Sequence, residues 1–358
     1  MRSEQETRWP SRLADVATRA GVSIGTASKA LNGQGALRPE TRAKVLSAAE
    51  ELGFLPNALA RSLVRGRSFT VGLIATDLVG RFSIPVMLGV EDALGAGRIA
   101  VLFCDGRGDP IREEHYLRSL LSRRVDGIIV AGGQTDPRPP IGRRIPVAAV
   151  YAWTPSTSPM DTSVVPDHKG GAYAAVRHLL ATGHRRVGHV TGPRQFRSVQ
   201  LRVEGAINAL GEEGLELVPP GALYGDWSEA WGRQAATILV RSSPDFDAVF
   251  CGNDEIARGV ADGLRELGRR IPDDVALIGF DNWEIMSAHA RVPLSTVDMN
   301  LHEVGRIAAQ RLLHAIDGGT AHGVEYVPCQ LIMRESTDIK ATLRQSPEPS
   351  SLPGGSRR

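Results

Sequence analysis

Residues 13–32, LADVATRAGVSIGTASKALN, constrain the fold more tightly than any other stretch of the chain. Leu13, Val16, Ala17 and Ala20 fall at helical spacing on one face. Gly21 can take the left-handed backbone that ends a helix, and the hydroxyl of Ser23 can cap the next one. In that second helix Ala27, Ala30 and Leu31 turn inward. Ile24, Gly25, Ser28 and Lys29 turn outward, with Thr26 near the exposed start. The spacing predicts a helix-turn-helix, whose second helix has the small, polar, basic outer face that a DNA major groove admits. A helical pair that merely packs would share the inner pattern.

The next segment favours the DNA reading. Arg38-Pro39-Glu40-Thr41 opens a third helix, with proline suited to its first turn. Val45, Leu46, Ala49 and Leu52 form the apolar stripe, and Gly53 ends the helix. Arg12 and Arg38 stand where a helix cap is expected, and Ser11 is the candidate cap for the first helix. Charge is divided in the same sense. Residues 1–67 hold eleven Lys/Arg against six Asp/Glu, a balance of +5, so a chain of net charge +2 leaves −3 for the remainder. A basic head on a mildly acidic body suits a head that meets phosphate.

After Pro56, Asn57 is placed to cap a short element running to about Val64, followed by the basic joint Arg65-Gly66-Arg67. From Phe69 the pattern becomes alternating strands and helices. The predicted strands are 69–77, 98–106, 126–133 and 146–152, then 185–193, 221–227, 247–254 and 274–281. Nearly continuous apolar strands that end in Asp, Gly or Asn, each followed by a helix, indicate parallel sheets covered on both faces. Two such series imply two doubly wound lobes, with ligand chemistry at the carboxyl ends of the strands. Cys104, Cys251 and Cys329 lie apart in apolar runs, as buried thiols of a reducing compartment do. There is no metal-ligand cluster, no phosphate-binding glycine loop and no hydrolase elbow, so no cofactor and no enzyme activity are expected. His184 and His189 read as surface or packing residues. No apolar run is long enough for a membrane span, and the polar N-terminus lacks the apolar core of a signal peptide, so a cytoplasmic, nucleoid-associated protein is expected.

The chain resembles the lactose-repressor/galactose-repressor (LacI/GalR) family of bacterial transcription regulators over residues 12 to about 340. The motifs that carry the resemblance include DVATRAGVSIGTASKALNG, RRVDGII, HLLATGHRRVGHVTGP, RVEG, GDW, GNDEIARG, IPDDVALIGFDN and PLSTVDMN. It implies an α+β multidomain chain: a three-helix headpiece (11–56), a hinge helix and linker (57–67), and a two-lobed α/β core like the periplasmic binding proteins (68–340). Within that core the N-lobe takes about 68–166 and 298–327, and the C-lobe about 167–297 and 328–340. Residues 341–358, rich in Pro, Ser and Gly, read as a disordered tail, and their lack of leucine heptads argues against a tetramer.

The resemblance also implies roles. Ile24, Gly25, Ser28 and Lys29 would face base edges, with Ser23 and Thr26 near the phosphates and Asn32 a further DNA-binding candidate. Lys29 stands where the family usually has Arg, exchanging a bidentate fork for a flexible point donor. Gly25 costs roughly 1 kcal/mol of helix propensity and offers no side-chain contact. In the hinge, Asn57 is a DNA-binding candidate, Ala60 would pack near the groove floor, Leu63 would wedge between base pairs, and Arg61, Arg65 and Arg67 would neutralise phosphate. In the cleft, Arg202, Asp281, Asn253 and Trp227 would hold the effector, with Asp77 and Phe82 from the N-lobe. A guanidinium and a carboxylate chelate sugar hydroxyls, and an indole covers a pyranose face. Asp281 could instead cap a helix, Asp254 could cap the one at EIARG, Trp227 could pack at the rim, and Asp167 lies near a lobe crossover. Expected partners are a near-palindromic DNA operator, a small effector of carbohydrate type, and a second copy of the chain in a homodimer. A sugar-binding solute receptor with no DNA role is the competing function, disfavoured by the basic headpiece.

Overall fold

The structure is a computed structural model describing residues 11–33, 35–54, 67–77, 80–95, 98–142 and 145–337. The chain divides into two compact units at Phe69/Thr70. The hinge residues Asn57, Ala60, Arg61, Leu63 and Arg65, and the tail from residue 341, lie outside the described residues.

The first unit has three helices: α1 (Leu13–Ala20), α2 (Ile24–Leu31) and α3 (Pro39–Glu51). Val16, Ala17, Ala27, Ala30, Val45, Ala48 and Ala49 close a small core, as the apolar spacing requires. Gly21 takes φ +66° and turns the chain between α1 and α2. Ser23 Oγ accepts from Thr26 N at 3.1 Å, a cap worth about 1 kcal/mol. One expectation is corrected. Ser11 does not cap α1; its hydroxyl donates to Leu52 O at 2.8 Å and ties the chain start to the end of α3. The acidic partner at that end is Asp15, whose carboxylate accepts from Arg12 N at 2.7 Å.

The second unit holds two parallel sheets. The larger comprises β1 (Thr70–Ala75), β2 (Ala100–Asp105), β3 (Gly127–Ala131), β4 (Ala148–Ala152), β5 (Thr162–Pro166) and β11 (Gly323–Val327), in the order β11-β5-β4-β3-β1-β2. The smaller comprises β6 (Val187–Thr191), β7 (Ala222–Tyr224), β8 (Ala248–Cys251) and β9 (Ala276–Ile278), in the order β7-β6-β8-β9. Strands β3, β6 and β8 are buried along their whole length, which is why each reads as an unbroken apolar run. A short antiparallel pair, β10 (Thr296–Asp298) with β12 (Gln330–Ile332), adds a feature outside the all-parallel expectation.

Helices α4 (Ser83–Ala93), α5 (Pro110–Ser122) and α11 (Leu301–Ile316) belong to the first lobe. Helices α6 (His168–Ala181), α7 (Arg197–Gly211), α8 (Glu229–Ser242), α9 (Asp254–Glu266) and the single turn α10 (Glu284–Ser287) belong to the second. Helix pairs cross closely where glycine permits. A Cβ on Gly305 of α11 would strike Val86 O of α4, and one on Gly89 of α4 would strike His302 O of α11. The chain passes between lobes three times: from β5 into α6, from β10 into α11, and from β11 into β12. Asp167 sits at the first crossing. It caps α6 by accepting from Gly170 N at 2.8 Å, while its own N–H donates to Val327 O.

Candidate functional site

The headpiece offers α2 as its candidate nucleic-acid face. Ile24 is 56% exposed, although it is a large aliphatic residue. Ser23, Gly25 and Lys29 are exposed beside it, and Thr26 and Ser28 are half-buried. Asn32 turns its amide back on its own helix, donating to Ser28 O at 2.9 Å. Ser23 and Thr26 share a hydroxyl contact of 2.9 Å at the helix start.

The core has a cavity of about 240 Å³ between its lobes. Its chemical centre is the carboxylate of Asp281, which two guanidiniums share. Arg202 donates to Oδ1 at 3.3 Å, and Arg81 donates to Oδ2 at 2.7 Å. Arg202 comes from α7 and is 4% exposed. It also donates to Gly252 O, and its guanidinium lies 3.8 Å over the Phe280 ring. Arg81 comes from the other lobe, just ahead of α4. Its guanidinium lies over the Phe82 ring at 4.6 Å and the Trp283 ring at 4.1 Å, with Glu255 at 3.7 Å. Asp281 holds φ +101°, a conformation that L residues rarely adopt. Local strain at a ligand-facing carboxylate is a recurrent property of binding sites. Burial pushes the Asp281 carboxyl up, and Arg202 and Arg81 pull it back.

The other sequence-predicted residues divide. Phe82 lines the cavity, with its ring 4.4 Å from that of Trp153. Trp227 lines it too, lying flat against Gly192 and 6.4 Å from Phe196. Asn253 lines it while capping α9, its Oδ1 accepting from Ile256 N at 2.8 Å. Asp77 is not among the lining residues. Its carboxylate accepts from Phe82 N at 2.6 Å and Ser83 N at 3.1 Å, so it starts α4 instead of facing ligand. The expected cap at EIARG is also reassigned: Asn253 caps α9, and the fully buried Asp254 accepts from Trp283 N and Thr296 Oγ1, both at 2.6 Å. Burial, reinforced by Asp281, pushes the Asp254 carboxyl up to about 8. His189 is a packing residue, fully buried and stacked on Phe250 at 4.7 Å.

Among the lining residues that the sequence does not single out, Arg81 and His168 contact Asp281 and Arg202. Arg81 looks like a surface cation in LVGRFS, because its partner lies 200 residues away. His168 begins α6 and is 1% exposed, between Thr135 Oγ1 at 2.7 Å and Arg202 Nη2 at 3.3 Å. Burial, with Arg202 beside it, holds its imidazole well below the ordinary histidine range. Three buried donors in this lining have no acceptor among the described residues: Arg81 Nε, Arg202 Nε and Trp153 Nε1. A buried donor left unpaired is costly. Among the described residues no group of His, Cys, Asp and Glu is arranged to hold a metal ion.

Residues 12–57 match the pattern of bacterial regulatory proteins of the lacI family, and residues 176–337 that of a periplasmic binding protein-like domain. The HTH-type transcriptional regulator CelR of Thermobifida fusca is 33% identical over 340 residues, 92% of this chain and 99% of that protein. The chain belongs to the LacI family of bacterial regulatory proteins. It is accordingly a DNA-binding transcriptional regulator, in which α2 belongs to the headpiece and the cavity to the binding-protein-like core. Two solved LacI-family structures are similar along nearly its whole length. A complex of the transcriptional regulator CelR with cellobiose superimposes with a TM-score of 0.62 at 30% identity, covering 91% of this chain and 99% of the other. A Lac repressor dimer bound to operator and the anti-inducer ONPF superimposes with a TM-score of 0.73 at 26% identity, covering 92% and 99%.

Proposed function

We propose that this LacI-family chain is a repressor whose affinity for a near-palindromic operator is set by a neutral carbohydrate held on Arg202 and Asp281. The observation that carries this reading is the shared carboxylate. Asp281 presents a buried acceptor flanked by guanidinium donors, the arrangement that grips vicinal hydroxyls. Phe82, Trp153 and Trp227 supply apolar faces for the C–H side of a sugar ring. The ionic lining balances, with Arg81 and Arg202 against Asp281 and Glu255 and with His168 neutral, so a neutral ligand leaves no charge uncompensated. The solved complex of the regulator CelR with cellobiose is 30% identical to this chain.

The DNA contacts are assigned to Ile24, Ser28 and Lys29 for base edges and to Ser23, Thr26 and Asn32 around them. Leu63, Ala60, Asn57, Arg61 and Arg65 are assigned to a hinge in the minor groove. Two headpieces on two half-sites require a homodimer. The protein works as a ligand-responsive switch instead of a catalyst, in the bacterial cytoplasm where its operator lies. Among the described residues no helix is long and apolar enough to cross a membrane.

The test is fluorescence anisotropy on an operator selected from random DNA, with and without a panel of sugars. One sugar is expected to change operator affinity at least tenfold. Arg202→Ala is expected to keep DNA binding and lose the response. An unaltered response in Arg202→Ala would refute the assignment of the cleft.

A further inference from the structure

A second cavity, of about 420 Å³, adjoins the first. The two share Arg81, Phe82 and Asp281, so the Arg81–Asp281 ion pair stands at their junction. The second chamber is lined further by Trp283, Asn282 and Asp298. Small-molecule sites usually measure roughly 300–1,000 Å³. The first chamber, at about 240 Å³, falls below that range, and the two joined fall within it.

The lining of the second chamber is chemically specific. Trp283 and Phe82 present aromatic faces to a single guest, and in this structure the guest is the Arg81 guanidinium. A sugar ring uses the same faces through its C–H groups. Asp298 holds Asn282 Nδ2 at 2.9 Å with one oxygen and Asn300 N at 2.7 Å with the other. Each carboxylate oxygen keeps a second lone pair for a hydroxyl. Asp281, Glu284 and Asp298 bring three carboxylates to this lining. The guanidinium there, Arg81, is already engaged by Asp281, and His302 Nε2 meets Asp92 at 2.8 Å. A phosphate or carboxylate tail would meet repulsion, whereas hydroxyls would meet acceptors.

We propose that this chamber is a second sugar subsite, so that the effector is a neutral di- or oligosaccharide. Its first unit lies on Arg202 and Asp281, its next against Trp283, and Arg81 swings off Asp281 to admit the linkage. The proposal rests on the carbohydrate reading above and adds the length of the ligand and the residues that measure it.

The experiment is calorimetric titration of the full-length protein with matched pairs: D-glucose, D-galactose, D-mannose and D-xylose, each against its β-1,4- and α-1,4-linked homodisaccharide. One disaccharide is expected to bind at least about tenfold more tightly than its own monosaccharide. Trp283→Ala is expected to bring that ratio close to one, and Trp283→Phe, which keeps an aromatic face, to retain most of it. Thermal melts of both variants verify folding. A monosaccharide that binds as tightly as its disaccharides, or a ratio that survives Trp283→Ala, overturns the subsite and leaves the carbohydrate reading standing. Binding of neither length at millimolar concentration overturns both.

Discussion

Arg202 donates through Nη2 to His168 Nδ1 at 3.3 Å, and this contact fixes the protonation of a buried imidazole. A guanidinium has only donors, so Nδ1 must accept, and the ring proton sits on Nε2, where it reaches Thr135 Oγ1 at 2.7 Å. The neutral Nε2–H tautomer is therefore part of the cleft, and it connects the Arg202 guanidinium to the loop after β3.

That tautomer predicts an NMR signature. The His168 Nδ1 resonance is expected at the unprotonated imidazole position, unchanged from pH 8 down to pH 5, since burial holds its protonation well below the ordinary range. Its contribution to stability is present above the unfolded histidine value, about 6.5, and is lost as pH falls below it, because only the unfolded chain then takes up the proton. A His168 titration near pH 6.5 would contradict the geometry.

Asp254 gives a slope of opposite sign. Its folded value of about 8 lies above the unfolded carboxyl, so between about pH 4 and pH 8 the folded state binds the extra proton. Stability from this group is greatest at the acid end of that window and declines as pH rises through it, by at most about 1.4 kcal/mol per unit. Asp254→Asn removes the titration while keeping an acceptor for Trp283 N. The stability difference between Asp254→Asn and the parent, from urea melts at several pH values, is expected to shift toward the variant as pH rises from 5 to 8. A difference constant with pH would show that Asp254 does not titrate in this window.

Lys29 extends from the exposed face of α2. Lys29→Ala is expected to reduce discrimination between selected operator and random DNA by about 1–3 kcal/mol, with nonspecific binding changed far less. Competition anisotropy measures both. Equal loss on both DNAs would make Lys29 a phosphate contact.

Gly305 packs α11 against α4. Gly305→Val drives a branched side chain into Val86 O, where backbone cannot yield without moving a helix. A loss of several kcal/mol is expected, above the typical 1–3 kcal/mol of overpacking. Calorimetric melting of the variant decides it, and a melting temperature within a degree of the parent would mean that the helices separate at no cost.

What the sequence discloses follows burial and locality. The headpiece was legible because its core is local: Val16, Ala27 and Val45 meet within about thirty residues. Eight of the twelve strands were legible because each is an apolar run between turn residues. Strands β10 and β12 form an antiparallel pair outside the strand–helix alternation by which even the equally short β7 and β9 were read, and the edge strand β11 alternates exposed and half-buried positions. Strand β5, buried but ending in proline after a Pro- and Ser-rich loop, carries no strong strand signal. At the site, Arg202 and Asp281 stood out through the RVEG and GFDN motifs. Their partners did not, since nothing near Arg81 or His168 in sequence shows what they touch. Asn253 and Asp254 are neighbours at a helix start, and which of them caps depends on a rotation that composition does not encode.

The Arg81 side chain gives the regulator a built-in competitor. On the proposed carbohydrate reading, an incoming sugar would contend with a tethered cation for Asp281, so the affinity it displayed would be its intrinsic affinity scaled by the fraction of molecules in which the tether is off. The threshold at which the gene responds is thereby separable from the contacts that recognise the sugar. Changing how firmly Arg81 rests on Phe82 and Trp283 would move the set-point along the concentration axis while leaving the identity of the effector alone.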